Sequence, residues 1–296
     1  MLSKLIKPHH IEEGIWQQSS VYKDIISFIS AMSSSVVGTK RSYIKETHIS
    51  QHISSIIDDL ETIDDNVSVE APSSGRFGHK NFRTYISRIT EQLPTLVSSR
   101  IETSHPHELA TYLMNSFGDF SRIDYGTGHE LNFVFFLFAL YKQSLIKTSD
   151  LPSIALHTIQ RYLHFCYHLQ DKYRLEPAGS QGVYSFDDFH ILGFVIGSFQ
   201  MRGNEDGLTP KSVADPQVRL LYSHDYLLLD CFQRTFSSKS NVDVSHLPVI
   251  HAFTEAVNWK KCANGMISFY KDHVLNQYPI VQHCLFGELV SLDFDQ

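Results

Sequence analysis

Residues 122–141 read RIDYGTGHELNFVFFLFALY. Two glycines bracket a threonine, a His-Glu pair follows, and from Phe133 to Tyr141 the chain is almost wholly apolar. A helix that is apolar on every side is buried on every side, so the stretch predicts a core helix entered through a glycine turn. The turn has two readings. It is punctuation, a capped start to a buried helix. Or it is a site: glycine lets other atoms approach the backbone closely, and the first amides of a helix, with its dipole, attract an anion. Arg122 would add a planar guanidinium fork suited to phosphate. No GxxxxGK occurs and no strand is expected ahead of the turn, which argues against a P-loop.

Helical spacing dominates the rest of the chain. Val21, Ile25, Phe28, Ile29, Met32 and Val36 share one face behind Ser19 and Ser20 as caps, and Ile49, Ile53, Ile56, Ile57, Leu60 and Ile63 repeat the pattern. Leu151 to Tyr173 does so again, and further helices are expected over about 218–236, 249–257 and 265–275. Period-two alternation is confined to the short NVSVE, residues 66–70. Segments such as APSSGRFG, EPAGSQG and RGNEDGLTP read as loops between helices. The expectation is an all-α protein, one compact multi-helix domain over residues 1–296.

Composition narrows the function. Of 296 residues, 42% are hydrophobic and 19% charged, as in ordinary globular proteins. A net charge of -7 and a pI near 6.2 argue against a nucleic-acid-binding face, which is usually basic. The N-terminus lacks a signal-peptide core, and the run from Phe133 to Tyr141 is far short of the roughly 20 residues of a membrane span. Cys166, Cys231, Cys262 and Cys284 form no CxxC pair and read as reduced, packed thiols. A soluble protein of the cytoplasm, and also of the nucleus, is expected.

Other loops carry the same ambiguity as the first. In EPAGSQGVYSFDDFH, residues 176–190, a glycine loop precedes Asp187 and Asp188 and then an apolar helix. Adjacent carboxylates can hold magnesium against phosphates, but Asp at the start of a helix also caps its free amides, and taken alone at least one of the pair reads as a cap. GRFGHKNFR (75–83) and YPIVQHCLFG (278–287) each mix glycine, aromatic and polar residues. Among 17 histidines, the pairs His48/His52 and His164/His168 have the one-turn spacing of metal ligands. No third ligand is evident nearby, so solvated histidines are expected. No G-x-S-x-G elbow is present.

Taken in order, RFGHKNFR, RIDYGTGHELNF, EPAGSQGVYSFDDFH and YPIVQHCLFG resemble the phosphotyrosyl phosphatase activator family from about Trp16 to Phe286. Its members activate the type 2A serine/threonine protein phosphatase and are also classed as peptidyl-prolyl cis-trans isomerases. The resemblance implies an all-helical fold with core, lid and linker parts around a deep pocket. It implies ATP at Arg122, Thr127, Gly128, Pro279, Gln282 and His283, and magnesium at Gly182, through its backbone oxygen, and Asp188. A proline-containing peptide would meet Gly179, Ser180, Gln181, Val183 and Tyr184. The implied partner is the type 2A catalytic subunit, with this chain a monomer on its own. Tyr184 stands where the family usually has Trp, His79 where it has Asn, Ser185 where Gly is common, and Gly193 where Pro is common.

An isomerase needs no nucleophile. The peptide bond resists rotation by roughly 18–20 kcal/mol because twisting costs resonance, and a groove complementary to the twisted amide lowers that barrier. No catalytic residue is assigned. The alternative is a pure activation chaperone that clasps the phosphatase with negligible isomerase turnover. A stand-alone ATPase or kinase would require a water-positioning or base residue that is not recognisable here.

Overall fold

The helix expected behind the glycine turn runs Thr127–Lys142, and every side chain from Glu130 to Leu140 is buried. Its faces are taken by different neighbours. Phe133 stacks on Tyr162 with ring centroids 3.8 Å apart and planes within 4°. Phe135 meets Tyr112 at 5.8 Å, and Phe138 meets Phe28 at 5.7 Å. The three partners lie on three other helices, so the segment is the axis of one continuous apolar core. The computed structural model describes residues 2–69, 78–179, 187–238 and 247–294.

The helices with one apolar stripe form as expected. Ser20–Ser34 opens with the Ser19 hydroxyl accepting the Tyr22 amide, and His48–Asp65 buries Ile53, Ile56, Ile57 and Leu60. Residues 151–173 are continuous, with a π-helical turn at Ile154–Thr158 ahead of Ile159–Tyr173. Further helices run Phe82–Arg100, Pro106–Met114, Leu192–Gln200, Pro248–Thr254 and Trp259–Tyr270.

Two expectations are corrected. The single helix expected over 218–236 is two, Pro216–Tyr222 and Leu227–Ser238, with a turn between them in which the Gln200 side chain bonds the Asp225 carbonyl and the Leu227 amide. Asp124–Tyr125 pairs in parallel with Glu176–Pro177, the one sheet among the described residues, so a two-residue strand precedes the glycine turn where none was expected. Only the missing GxxxxGK still argues against a P-loop. All four cysteines are free and buried, and among the described residues no helix is long and apolar enough to cross a membrane.

Glycine brings Leu192–Gln200 onto Leu227–Ser238. A Cβ at Gly193 would lie 2.5 Å from the Cys231 sulfur, and one at Gly197 would fall on the Leu228 backbone nitrogen, within 2.7 Å of its Cα. A methyl at 197 cannot be absorbed by a flexible side chain, so Gly197→Ala is expected to cost about 3 kcal/mol, the upper end of overpacking. Gly265, inside Trp259–Tyr270, has nothing within 4 Å of an added Cβ. Gly265→Ala should therefore gain about 0.5–1 kcal/mol. Thermal unfolding of the two variants checks the pair: a neutral Gly197→Ala would mean the helices have room to part.

Candidate functional site

Three distant segments converge at the start of the Thr127–Lys142 helix. The strand pair sets the first two: the Ala178 amide donates to the Tyr125 carbonyl at 2.7 Å, laying residues 176–179 along the glycine turn. Gly126 is extended (φ -170°, ψ -175°), so its glycine is not there for dihedral freedom. A Cβ would overlap the Ala178 carbonyl oxygen, and only glycine lets the two backbones lie this close. Among the described residues no side chain caps the helix; its bonds begin with the His129 amide donating to the Gly126 carbonyl at 2.8 Å. The amides of Thr127 and Gly128 precede that first bond. The Asn132 side chain braces the Gly128 carbonyl at 2.8 Å.

The third segment closes over the turn. Ile280 lies 3.6 Å from where a Gly128 Cβ would be, and Pro279, Ile280 and His283 face the turn across a cavity of about 360 Å³. That segment is latched from below by Glu108, whose buried carboxylate accepts the amides of Glu288 and Leu289, each at 3.0 Å, and the Tyr112 hydroxyl. Gly287 is glycine for the same reason: a Cβ there would lie 2.6 Å from the Glu108 carboxylate. Ser3 and Phe286 exchange backbone bonds at 2.9 Å, which brings Lys4 into the cavity wall.

The cavity carries charge of both signs. Arg122 is half exposed; its Nε donates to Asp124 at 2.6 Å, and that bond holds its pKa above the usual guanidinium value. Asp119 accepts the amides of Ser121 and Arg122, each at 2.9 Å, and the Ser121 hydroxyl at 2.7 Å. Burial opposes its ionisation, but these donors outweigh it and hold the carboxyl below its usual range. His283 is pushed down, first by burial and then by Lys4, Arg122 and His129. Among the described residues the Thr127 and Gly128 amides have no acceptor, the lining adds a guanidinium and an ammonium, and it offers no serine or cysteine nucleophile.

Residues 3–292 match the family model described as phosphotyrosyl phosphate activator (PTPA) protein. The chain belongs to this family. A serine/threonine-protein phosphatase 2A activator of Drosophila melanogaster is 34% identical over 285 residues, covering 95% of this chain and 71% of that protein. A serine/threonine-protein phosphatase 2A activator 2 of Kluyveromyces lactis is 34% identical over 297 residues, 97% of this chain and 82% of its own. The crystal structure of the PP2A phosphatase activator Ypa1 PTPA1 matches with a TM-score of 0.82 at 22% identity, covering 98% of this chain and 95% of the other. At that identity the likeness shows the fold, and the all-helical expectation is borne out.

The cavity gathers Arg122, Gly128, Gly179, Pro279 and His283, with Thr127 between two lining glycines. Gln282 is not among the described lining residues; its side chain donates to the Pro279 carbonyl at 3.3 Å. Asp188 is not among the described lining residues. Ser180, Gln181, Gly182, Val183 and Tyr184 lie outside the described residues. Asp187 is the cap of its turn: one oxygen accepts the amides of Phe189 and His190, the other the Thr235 hydroxyl.

The histidine expectation needs amending. His164 and His168 are half exposed, but each bonds a carboxylate on another helix, Asp230 at 2.6 Å and Asp64 at 2.8 Å. The described His/Cys/Asp/Glu group with ligand spacing is Asp64, Asp65 and His168, and the Lys172 ammonium already sits 2.7 Å from Asp64. Sequence reasoning missed Glu130, whose fully buried carboxylate accepts the amides of Ile191 and Leu192, each at 3.0 Å, and lies 3.3 Å from His190. It joins the glycine-turn helix to the Asp187–His190 turn. The acid stands three residues ahead of the apolar run that begins at Phe133, and its backbone partners leave no mark in the sequence.

Proposed function

We propose that this chain is an ATP- and magnesium-dependent activator of the type 2A protein phosphatase catalytic subunit. The observation that carries the reading is the meeting of three separate segments on one cavity at an uncapped helix N-terminus, beside Arg122. At about 360 Å³ the cavity falls in the range of small-ligand sites, roughly 300–1,000 Å³. Its free amides and cationic groups are the donor set that a polyphosphate needs. Arg122, Thr127, Gly128, Pro279, Gln282 and His283 would hold the nucleotide, and Gly182 and Asp188 the magnesium. Bound phosphates supply fixed negative charge at the protein surface, where they complete a face for the catalytic subunit. The relatives' names support the choice of partner.

Peptidyl-prolyl isomerisation, with the peptide along Gly179 to Tyr184, is the formal activity of this reading, and the clasp on the phosphatase is its physiological role. The protein acts in the cytoplasm and nucleus, as a monomer until it meets its partner. Reactivation of an inactive catalytic subunit with ATP and magnesium, beside a proline-isomerisation assay on the same preparation, tests it. Reactivation that requires both ATP and magnesium is expected. Isomerisation without reactivation would overturn the proposal and leave a simple isomerase.

A further inference from the structure

Two aspartates line a cavity proposed here for a polyanion, and neither is explained by that reading. The geometry points to Asp124 as the positioning residue that aims Arg122 at the ligand's phosphates. The inference rests on the nucleotide reading of the cavity.

Asp124 is 8% exposed, fixed on the strand that pairs with Glu176, and its own carbonyl accepts the Asp119 amide at 3.0 Å. It cannot follow a moving partner. Arg122 is the opposite, a long side chain with 49% of its surface exposed. Of its five N–H donors, the Nε–H is taken by Asp124 Oδ2 at 2.6 Å, and Nη1 lies 3.5 Å from Asp119. With Nε anchored, the guanidinium plane is set and the outer N–H groups are left for a phosphate. Asp119 does the matching work on the main chain, since its Oδ1 accepts the Arg122 amide. A free arginine would lose its rotamer freedom on binding; one already held loses less.

The carboxylate has a cost that makes the inference sharp. A negative charge beside a phosphate site repels the ligand, so a purely electrostatic account predicts that neutralising Asp124 tightens binding. Positioning predicts the reverse. Asn at 124 presents one neutral oxygen to Nε, a weaker acceptor than the carboxylate.

Calorimetric titration of ATP, ADP and adenosine into the full chain tests this, with Asp124→Asn, Arg122→Lys and the double variant, each checked by thermal unfolding. In the parent background Asp124→Asn should weaken ATP about tenfold, ADP by less, and adenosine not at all. In the Arg122→Lys background, where no Nε–H exists to anchor, Asp124→Asn should change ATP affinity little; this non-additivity is the sign of a direct coupling. Three results overturn the inference while leaving the nucleotide site standing: tighter ATP binding by Asp124→Asn, equal losses for ATP and adenosine, or the same loss in both backgrounds. Should the parent chain bind no ATP at all, the site reading falls and this inference with it.

Discussion

Glu130→Ala is expected to unfold about ten degrees below the parent chain, a loss of roughly 3–5 kcal/mol. The carboxylate is completely buried, and its oxygens accept the amides of Ile191 and Leu192, the first donors of the Leu192–Gln200 helix. Those donors have no partner within their own helix. His190 adds a contact at 3.3 Å, and its other nitrogen lies 2.9 Å from the Gln170 amide. Alanine leaves two amides without an acceptor, takes the carboxylate from one imidazole nitrogen and opens a cavity among them, and each unsatisfied buried donor costs about 1–3 kcal/mol. Glu130→Gln separates charge from shape: it keeps the volume but turns an NH₂ toward a donor, and should fall between the two. Thermal and urea unfolding of the three proteins measures this. A shift of only a degree or two in the alanine variant would show that water replaces the carboxylate, and that the turn at 187–190 does not hang on Glu130.

Glu130 also shows where sequence reading ends. Helices with one apolar face were legible because their spacing is local: Ser20–Ser34 and His48–Asp65 lie where the stripes fall. Phe82–Arg100 was missed because Pro94, inside it, reads as a breaker. The break between Tyr222 and Leu227 was missed because apolar spacing runs across it, and Leu220 and Leu221 turn out exposed. A two-residue strand pair has no period to detect, although it sets Gly126 against Ala178.

The site residues divide along the same line. Arg122, Gly128 and His283 could be nominated from motifs, and the fold brings them to one cavity. Glu130 and Glu108 could not. Their partners are backbone amides 61 and 181 residues away, and an amide leaves no mark in a sequence. Three motifs that look independent are thus one structure, in which buried acids on two helices hold the second and third segments against the first.

That division bears on the adjacent pair Asp187 and Asp188, where Asp188→Asn is expected to keep its melting temperature and lose more than tenfold in Mg-ATP affinity. Composition alone left both carboxylates open as cap or ligand, and the family resemblance put magnesium at Asp188 and left the cap to Asp187. The structure gives the capping role to Asp187, which takes the amides of Phe189 and His190 and the hydroxyl of Thr235. Asn caps about as well as Asp, so Asp187→Asn should retain both stability and nucleotide binding, while Asp187→Ala should lose roughly 0.5–2 kcal/mol. A magnesium ligand obeys a different rule. Asn at 188 keeps an oxygen but not the negative charge, and magnesium holds few protein ligands, so losing one charge is felt directly. The discriminating measurement is ATP titration with and without magnesium. Asp188→Asn should match the parent when magnesium is chelated and fall behind only when it is present. If the variant binds Mg-ATP as tightly as the parent, Asp188 is no ligand, and the ion is held by the nucleotide, water and other groups.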